Sequence, residues 1–226
     1  RSSTAIRSRS LRCTLAWTCP SFIEVARLTA QSVAWSKPLL FLAGLYPLMR
    51  WVFLGWQADL TANPTEFLTR SSGTWTLVCL IATLLVTPLR DWLQEPALIR
   101  VRRMCGLFTF FYASLHTLAW AWWEQNLVPI DMLRDVVQRP FVSVGMAAFL
   151  VLLAMALTSN QRAMRAMGRY WKALHRWVYL VAVLSIVHYW LHKAGKNDFV
   201  EVIIYGGVIA MLLAWRVWRR FRPSHA

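Results

Sequence analysis

The stretch GRYWKALHRWVYLVAVLSIVHYWLH, residues 168–192, decides how the chain is read. It is apolar and aromatic, long enough to cross a bilayer, and it carries His175 and His188 thirteen positions apart. Ionisable side chains in hydrocarbon are costly and rare, so each requires a partner, a cavity or a ligand. At about 1.5 Å of rise per helical residue the two imidazoles stand roughly 20 Å apart along the axis. One falls near a membrane face and the other near or beyond the midplane. That layout suits two redox centres stacked across a membrane.

The composition agrees with a membrane setting. Of 226 residues, 58% are hydrophobic and only 15% charged, against roughly 25% charged in a soluble domain. Mean hydropathy is +0.42. The formal charge of +15 would suit a nucleic-acid binder, but such a protein gathers its basic residues on a soluble domain. Here they lie in short segments between apolar runs, so no nucleic-acid partner is expected. There is no GxGxxG after a strand, no phosphate-cradling loop, no CxxC and no HExxH, which leaves no room for a nucleotide-binding domain. Cys13, Cys19, Cys79 and Cys105 have no metal-ligand spacing and read as buried or free thiols.

Apolar runs predict six spans, at about 38–56, 74–90, 104–123, 141–158, 173–191 and 201–218. Lengths near twenty residues match the hydrocarbon core of a bilayer. The second run is short, so that span is expected to tilt little or to begin in the preceding loop. Residues 1–26 are basic and Ser/Thr-rich and are expected to be a poorly ordered extension or a misplaced start. Residues 27–220 form the transmembrane domain, and 221–226 a tail.

Charge sets the orientation. The N-terminal segment, the second and fourth loops and the C-terminal segment hold nineteen basic and three acidic residues, net +16. The opposite side holds six basic and seven acidic residues, net −1. By the positive-inside rule both termini are cytoplasmic, and the loops after spans one, three and five face outward. The expected fold class is an all-α integral membrane protein, a six-helix bundle.

His116 lies in the third span, His175 and His188 in the fifth, and His192 just beyond it. Spans three and five run in the same direction, and His116 and His188 sit at depths matched to roughly 5 Å. Two imidazoles at one depth on neighbouring helices can clamp a haem iron axially. This pair is the expected site of a b-type haem nearer the outer face. At the depth of His175 the third span offers Arg102 and Arg103 instead of a histidine. A guanidinium stays protonated and is a poor iron ligand, but it pairs readily with a propionate or a phosphate. The second level is therefore open between a haem with one or an unusual axial ligand, a quinone site and a flavin site. Thirteen residues do not return to the same face of an ideal helix, so two identical sites would require the fifth helix to bend. Competing readings are interhelical hydrogen bonding, which suits His192, and proton relay in a transporter. Zinc is not expected, because no cysteine or carboxylate converges with the histidines.

The stretches RLTAQSVAW, TRSSGTWTL, LIRVRRMCGLFTFFYASLH, RPFVSVGM, MALTSN and GRYWKALHRWVYLVAVLSIVHYW resemble the MsrQ (YedZ) family of haem-binding membrane subunits, within the ferric-reductase-like transmembrane superfamily. The resemblance covers roughly residues 27–220. It implies haem-associated roles for His116, His175 and His188, with Arg102 where two-haem relatives carry a further histidine. It implies haem b, one or two per chain, and FMN. It further implies an electron-transfer subunit in the bacterial inner membrane, not itself the sulfoxide-reducing enzyme. Electrons would come from the quinone pool or a cytoplasmic flavin reductase and pass to a periplasmic MsrP-like molybdopterin enzyme that reduces methionine sulfoxide in oxidised proteins. A transmembrane ferric reductase is the alternative.

Overall fold

The computed structural model describes residues 21–221 apart from Lys196. The expected N-terminal extension lies largely outside them, as do Cys13, Cys19 and residues 222–226. The described chain is helical: α1 (Ser21–Trp56), α2 (Pro64–Leu93), α3 (Ile99–Ala119), α4 (Pro129–Gln138), α5 (Pro140–Leu157), α6 (Gln161–Met167), α7 (Arg169–His175), α8 (Val178–Ala194) and α9 (Val200–Phe221). Six stretches are long and apolar enough to cross a membrane: 37–56, 64–93, 99–124, 140–157, 169–194 and 200–221. The six expected spans are all present. Cys79 and Cys105 are free thiols.

Two spans differ from their expected form, each for a local reason. α2 begins ten residues earlier than hydropathy alone suggests. Asn63 caps it, its side-chain oxygen accepting from the Glu66 amide at 3.3 Å and from the Thr65 hydroxyl at 2.8 Å, while Pro64 occupies the first turn, where a missing N–H costs nothing. The polar run after it is tolerated because its hydroxyls donate back along the helix. Thr69 donates to the Thr65 carbonyl, Ser72 to Thr69 and Thr76 to Ser72, all at 2.9 Å. The fifth span is interrupted. α7 ends at His175, and α8 starts at Val178 after a turn at Arg176 and Trp177. Gly168, with φ +50°, separates α7 from α6, a conformation open to glycine at little cost.

α2 pairs with α3, and α5 with α8, as two helical hairpins, with α9 against α2 and α8. Between them lie Leu77, Leu80, Leu84, Ala113, Ala148, Leu152, Val181, Ala182 and Ile209. Lipid tails are as apolar as leucine, so close packing and interhelical hydrogen bonds hold such a bundle together rather than exclusion of water. The alanines let neighbouring backbones approach. The buried hydroxyls of Thr83 and Thr109 meet at 3.5 Å across the first hairpin.

α1 attaches to this core at few points. The Tyr112 hydroxyl donates to the Gly44 carbonyl at 2.5 Å, Trp51 Nε1 donates to Ser71 at 3.0 Å, and Gly44 makes room for the Phe108 ring. Tyr112→Phe deletes the first of these bonds. It should destabilise the solubilised protein by about 1 kcal/mol, seen as a lower thermal midpoint. An unchanged midpoint would show that the bond holds nothing.

Candidate metal centre

α3 carries His116 and α8 carries His188, and the bundle brings the two rings to 6.1 Å between centroids with their planes 84° apart. Two metal–nitrogen bonds of about 2 Å, plus about 1 Å from each nitrogen to its ring centre, make roughly 6 Å. The observed separation matches in length what one metal ion between two imidazoles would require.

The protonation of each ring follows from its partner. His116 Nδ1 lies 2.8 Å from the Thr69 carbonyl on α2, and His188 Nδ1 lies 2.6 Å from the Phe141 carbonyl on α5. A carbonyl only accepts, so in both rings Nδ1 carries the hydrogen and donates it. Each Nε2 is left with its lone pair, the form in which imidazole binds a metal. Among the described residues, no three His, Cys, Asp or Glu converge as a metal site. Two ligands suffice if the other donors come from a macrocycle, and haem iron takes its four equatorial nitrogens in that way. The residues therefore fit haem.

Sequence reasoning found the two histidines and missed what holds them. Thr69 and Gly73 lie in the polar run ahead of the expected second span. Phe141 and Gly145 lie at the start of α5. A Cβ on Gly73 would stand 3.2 Å from His116, and one on Gly145 would stand 2.7 Å from His188. Both carbonyl-to-histidine bonds span 47 positions. Thr69 and Phe141, Ser71 and Ser143, Gly73 and Gly145, and His116 and His188 are each 72 positions apart. This repeat was readable without a structure.

His175 is built differently. Its Nδ1 donates to the Trp171 carbonyl of its own helix at 3.1 Å, its ring stacks on Trp171 at 4.0 Å, and Ser159 Oγ lies 3.4 Å from Nε2. Arg102 is close enough to act on it electrostatically. Arg102 also acts electrostatically on Arg216, whose guanidinium donates to the Leu84 carbonyl at 2.7 Å and to the Tyr179 hydroxyl. Among the described residues, no second imidazole partners His175 as His116 partners His188. His192 lies with its ring 5.4 Å from that of Phe141.

A family profile described as ferric reductase like transmembrane component matches residues 72–186. It takes in His116 and His175 and stops two positions short of His188. Relatives match far more of the chain. The protein-methionine-sulfoxide reductase heme-binding subunit MsrQ of Bordetella pertussis is 59% identical over 88% of this chain and 98% of its own length. The subunits of the same description from Ralstonia nicotianae and Xanthomonas campestris are 49% and 38% identical, over 91% and 84% of the chain and 93% and 88% of their own lengths. The chain belongs to the MsrQ family. Four of the stretches quoted above meet at the pair: TRSSG and RPFVSVG hold the carbonyls and glycines, the segment ending in His116 holds one ring, and GRYWKALHRWVYLVAVLSIVHYW holds His188.

Beside the segments of this MsrQ-family chain that carry His116 and Phe141 lies a short helix that hydropathy did not reveal. α4 connects the end of the third span to α5. Its Asp135 accepts from Trp120 Nε1 at 3.0 Å and pairs with Arg139, the residue that precedes α5. Met132 and Val136 pack on Trp120 and Val142. Partly exposed charge-assisted bonds are discounted for solvent, so Asp135→Ala should cost about 1 kcal/mol. Hydrogen exchange across residues 129–138 should quicken while α2 and α3 stay protected. Equal protection in the variant would mean that packing alone holds α4 down.

Proposed function

We propose that this chain is a haem b-bearing electron-transfer subunit of the bacterial inner membrane. It takes electrons from the quinone pool and passes them to a periplasmic MsrP-like molybdopterin enzyme that repairs oxidised methionine. It is not itself the sulfoxide-reducing enzyme. The observation that carries this reading is the His116–His188 pair, with rings 6.1 Å apart and both Nδ1 hydrogens committed to backbone carbonyls. Haem bound there supplies a one-electron couple. His116 and His188 would hold it through their Nε2 atoms, each ring fixed by its Nδ1 hydrogen bond. The identity to MsrQ relatives along almost their whole length favours this role over a ferric reductase.

A second group belongs at the level of His175 and Arg102. The buried Thr87 hydroxyl and Arg216 Nε have no hydrogen-bond partner among the described residues, which supports a polar ligand where α2 and α9 meet. Arg100, Arg102, Arg103, Arg165 and Arg169 lie on the basic side of the chain, where a flavin phosphate of FMN or a haem propionate would be drawn. The same charge supports, by the positive-inside rule, an orientation with both termini cytoplasmic and the His116–His188 level toward the periplasm. Whether a cytoplasmic flavin reductase also feeds this level is a matter of the donor, not of the outer pair.

Purified protein should show the paired absorption bands of low-spin haem, and a soluble quinol should reduce it. His116→Ala and His188→Ala should each abolish the low-spin signature of the outer centre. His175→Ala should leave that signature and remove only what the cytoplasmic level binds. A full haem complement with unchanged spectra in His116→Ala would refute the assignment.

A further inference from the structure

We propose that Gly73 and Gly145 are paired positioning residues: each opens a seat in which an imidazole from the neighbouring helix reaches a backbone carbonyl one turn earlier. In an α-helix the carbonyl of residue i is bonded by the amide of residue i+4, and every Cβ leans toward the helix N-terminus. A side chain at i+4 therefore stands over the carbonyl that the imidazole must approach. Gly73 is that residue for Thr69, and Gly145 is that residue for Phe141. A Cβ at Gly145 would meet His188 Nδ1 at 2.7 Å and Cε1 at 2.9 Å. A Cβ at Gly73 would meet His116 Nδ1 and Cε1 at 3.2 Å. The Thr69 carbonyl also accepts from the Ser72 hydroxyl at 2.9 Å, so the ring has a narrow approach there.

The seats have a chemical consequence that ordinary helix packing lacks. Donating Nδ1–H to a carbonyl fixes the tautomer, fixes the rotation of the ring and makes Nε2 a stronger donor to a metal. Two seats on different helices also set the angle between the ring planes, here 84°. His175, bonded to a carbonyl of its own helix, has no such seat. Neither does Gly207, which faces open space.

This inference rests on the reading of His116 and His188 as axial ligands, and the test separates the two. Gly73→Ala, Gly145→Ala and Gly207→Ala are made in the full-length chain and purified with haem. Each is measured by haem retention, redox titration and electron paramagnetic resonance of the ferric protein. Gly207→Ala should match the parent. Gly73→Ala, where the ring need give only a few tenths of an ångström, should keep its haem with a raised potential and an altered ferric spectrum. Gly145→Ala should respond more strongly, with haem retained about 10- to 100-fold less tightly, the usual effect of losing a partner behind a metal-bound histidine. If Gly145→Ala fails to fold, Gly73→Ala decides alone. A Gly73→Ala protein with the potential and spectrum of Gly207→Ala would overturn the seats while leaving the ligands in place. Unchanged haem in both His116→Ala and His188→Ala would instead overturn the underlying reading.

Discussion

Two hydrogen bonds carry the site: His116 Nδ1 to the Thr69 carbonyl and His188 Nδ1 to the Phe141 carbonyl. Each crosses from one helix of a hairpin to the other. Inside a membrane there is no water to satisfy a stray imidazole N–H, and the helix carbonyls are already engaged. The bond therefore forms only where a carbonyl has a free lone pair and nothing standing over it. That requirement fixes where each hairpin must have a glycine, how its helices are registered and which imidazole nitrogen remains for a metal. The rings lie 6.1 Å apart because the hairpins meet through α3 and α5, with small residues such as Ala113 and Ala148 at the contact.

Much of this was legible in the sequence, for identifiable reasons. Hydrocarbon thickness imposes span length, so six apolar runs yielded six spans. Matched depth on two parallel spans picked out His116 and His188, because depth along a helix depends only on residue count. Hydropathy failed where polar residues are satisfied within a helix. TRSSG looks like a loop, yet Asn63 caps the helix ahead of it and the hydroxyls fold back on the backbone. It failed again at α4, whose exposed Ile130, Leu133 and Val137 alternate with charge and give no continuous apolar run. The interruption at Arg176 and Trp177 has no proline or glycine to announce it. The expectation that the fifth helix must bend for two similar sites pointed there without locating it.

The signal passed over was the internal repeat. Ser71-x-Gly73 and Ser143-x-Gly145 recur 72 positions apart, the same distance that separates the two histidines. In each copy Gly and His are 43 positions apart, so no net insertion or deletion separates the two hairpins. The chain between is nevertheless used differently. In the first copy α2 runs on to Leu93, and a short connection with a 3-10 turn at Pro96–Leu98 leads into α3. In the second, α5 stops at Leu157. Asn160 caps a new helix by accepting from the Ala163 amide at 2.7 Å, so that α6 occupies the chain matching the last turns of α2 and α7 the chain matching the start of α3.

The break into α6 and α7 lies at the end of the second hairpin away from the paired imidazoles, and the asymmetry between the two levels resides there. The position matching His175 in the first copy is Arg103, with Arg102 beside it, and the position matching Ser159 is Thr87. At the paired end, a ring, a carbonyl and a glycine constrain one another, so a change in any of them disturbs the other two. At the far end His175 takes its hydrogen bond from its own helix, which removes the demand for a facing glycine or for a fixed register between α5 and α8. Freed of that demand, the second copy can break its helix and the first can exchange imidazole for guanidinium. The two levels of the bundle differ because only one of them depends on an interhelical contact that both copies must reproduce.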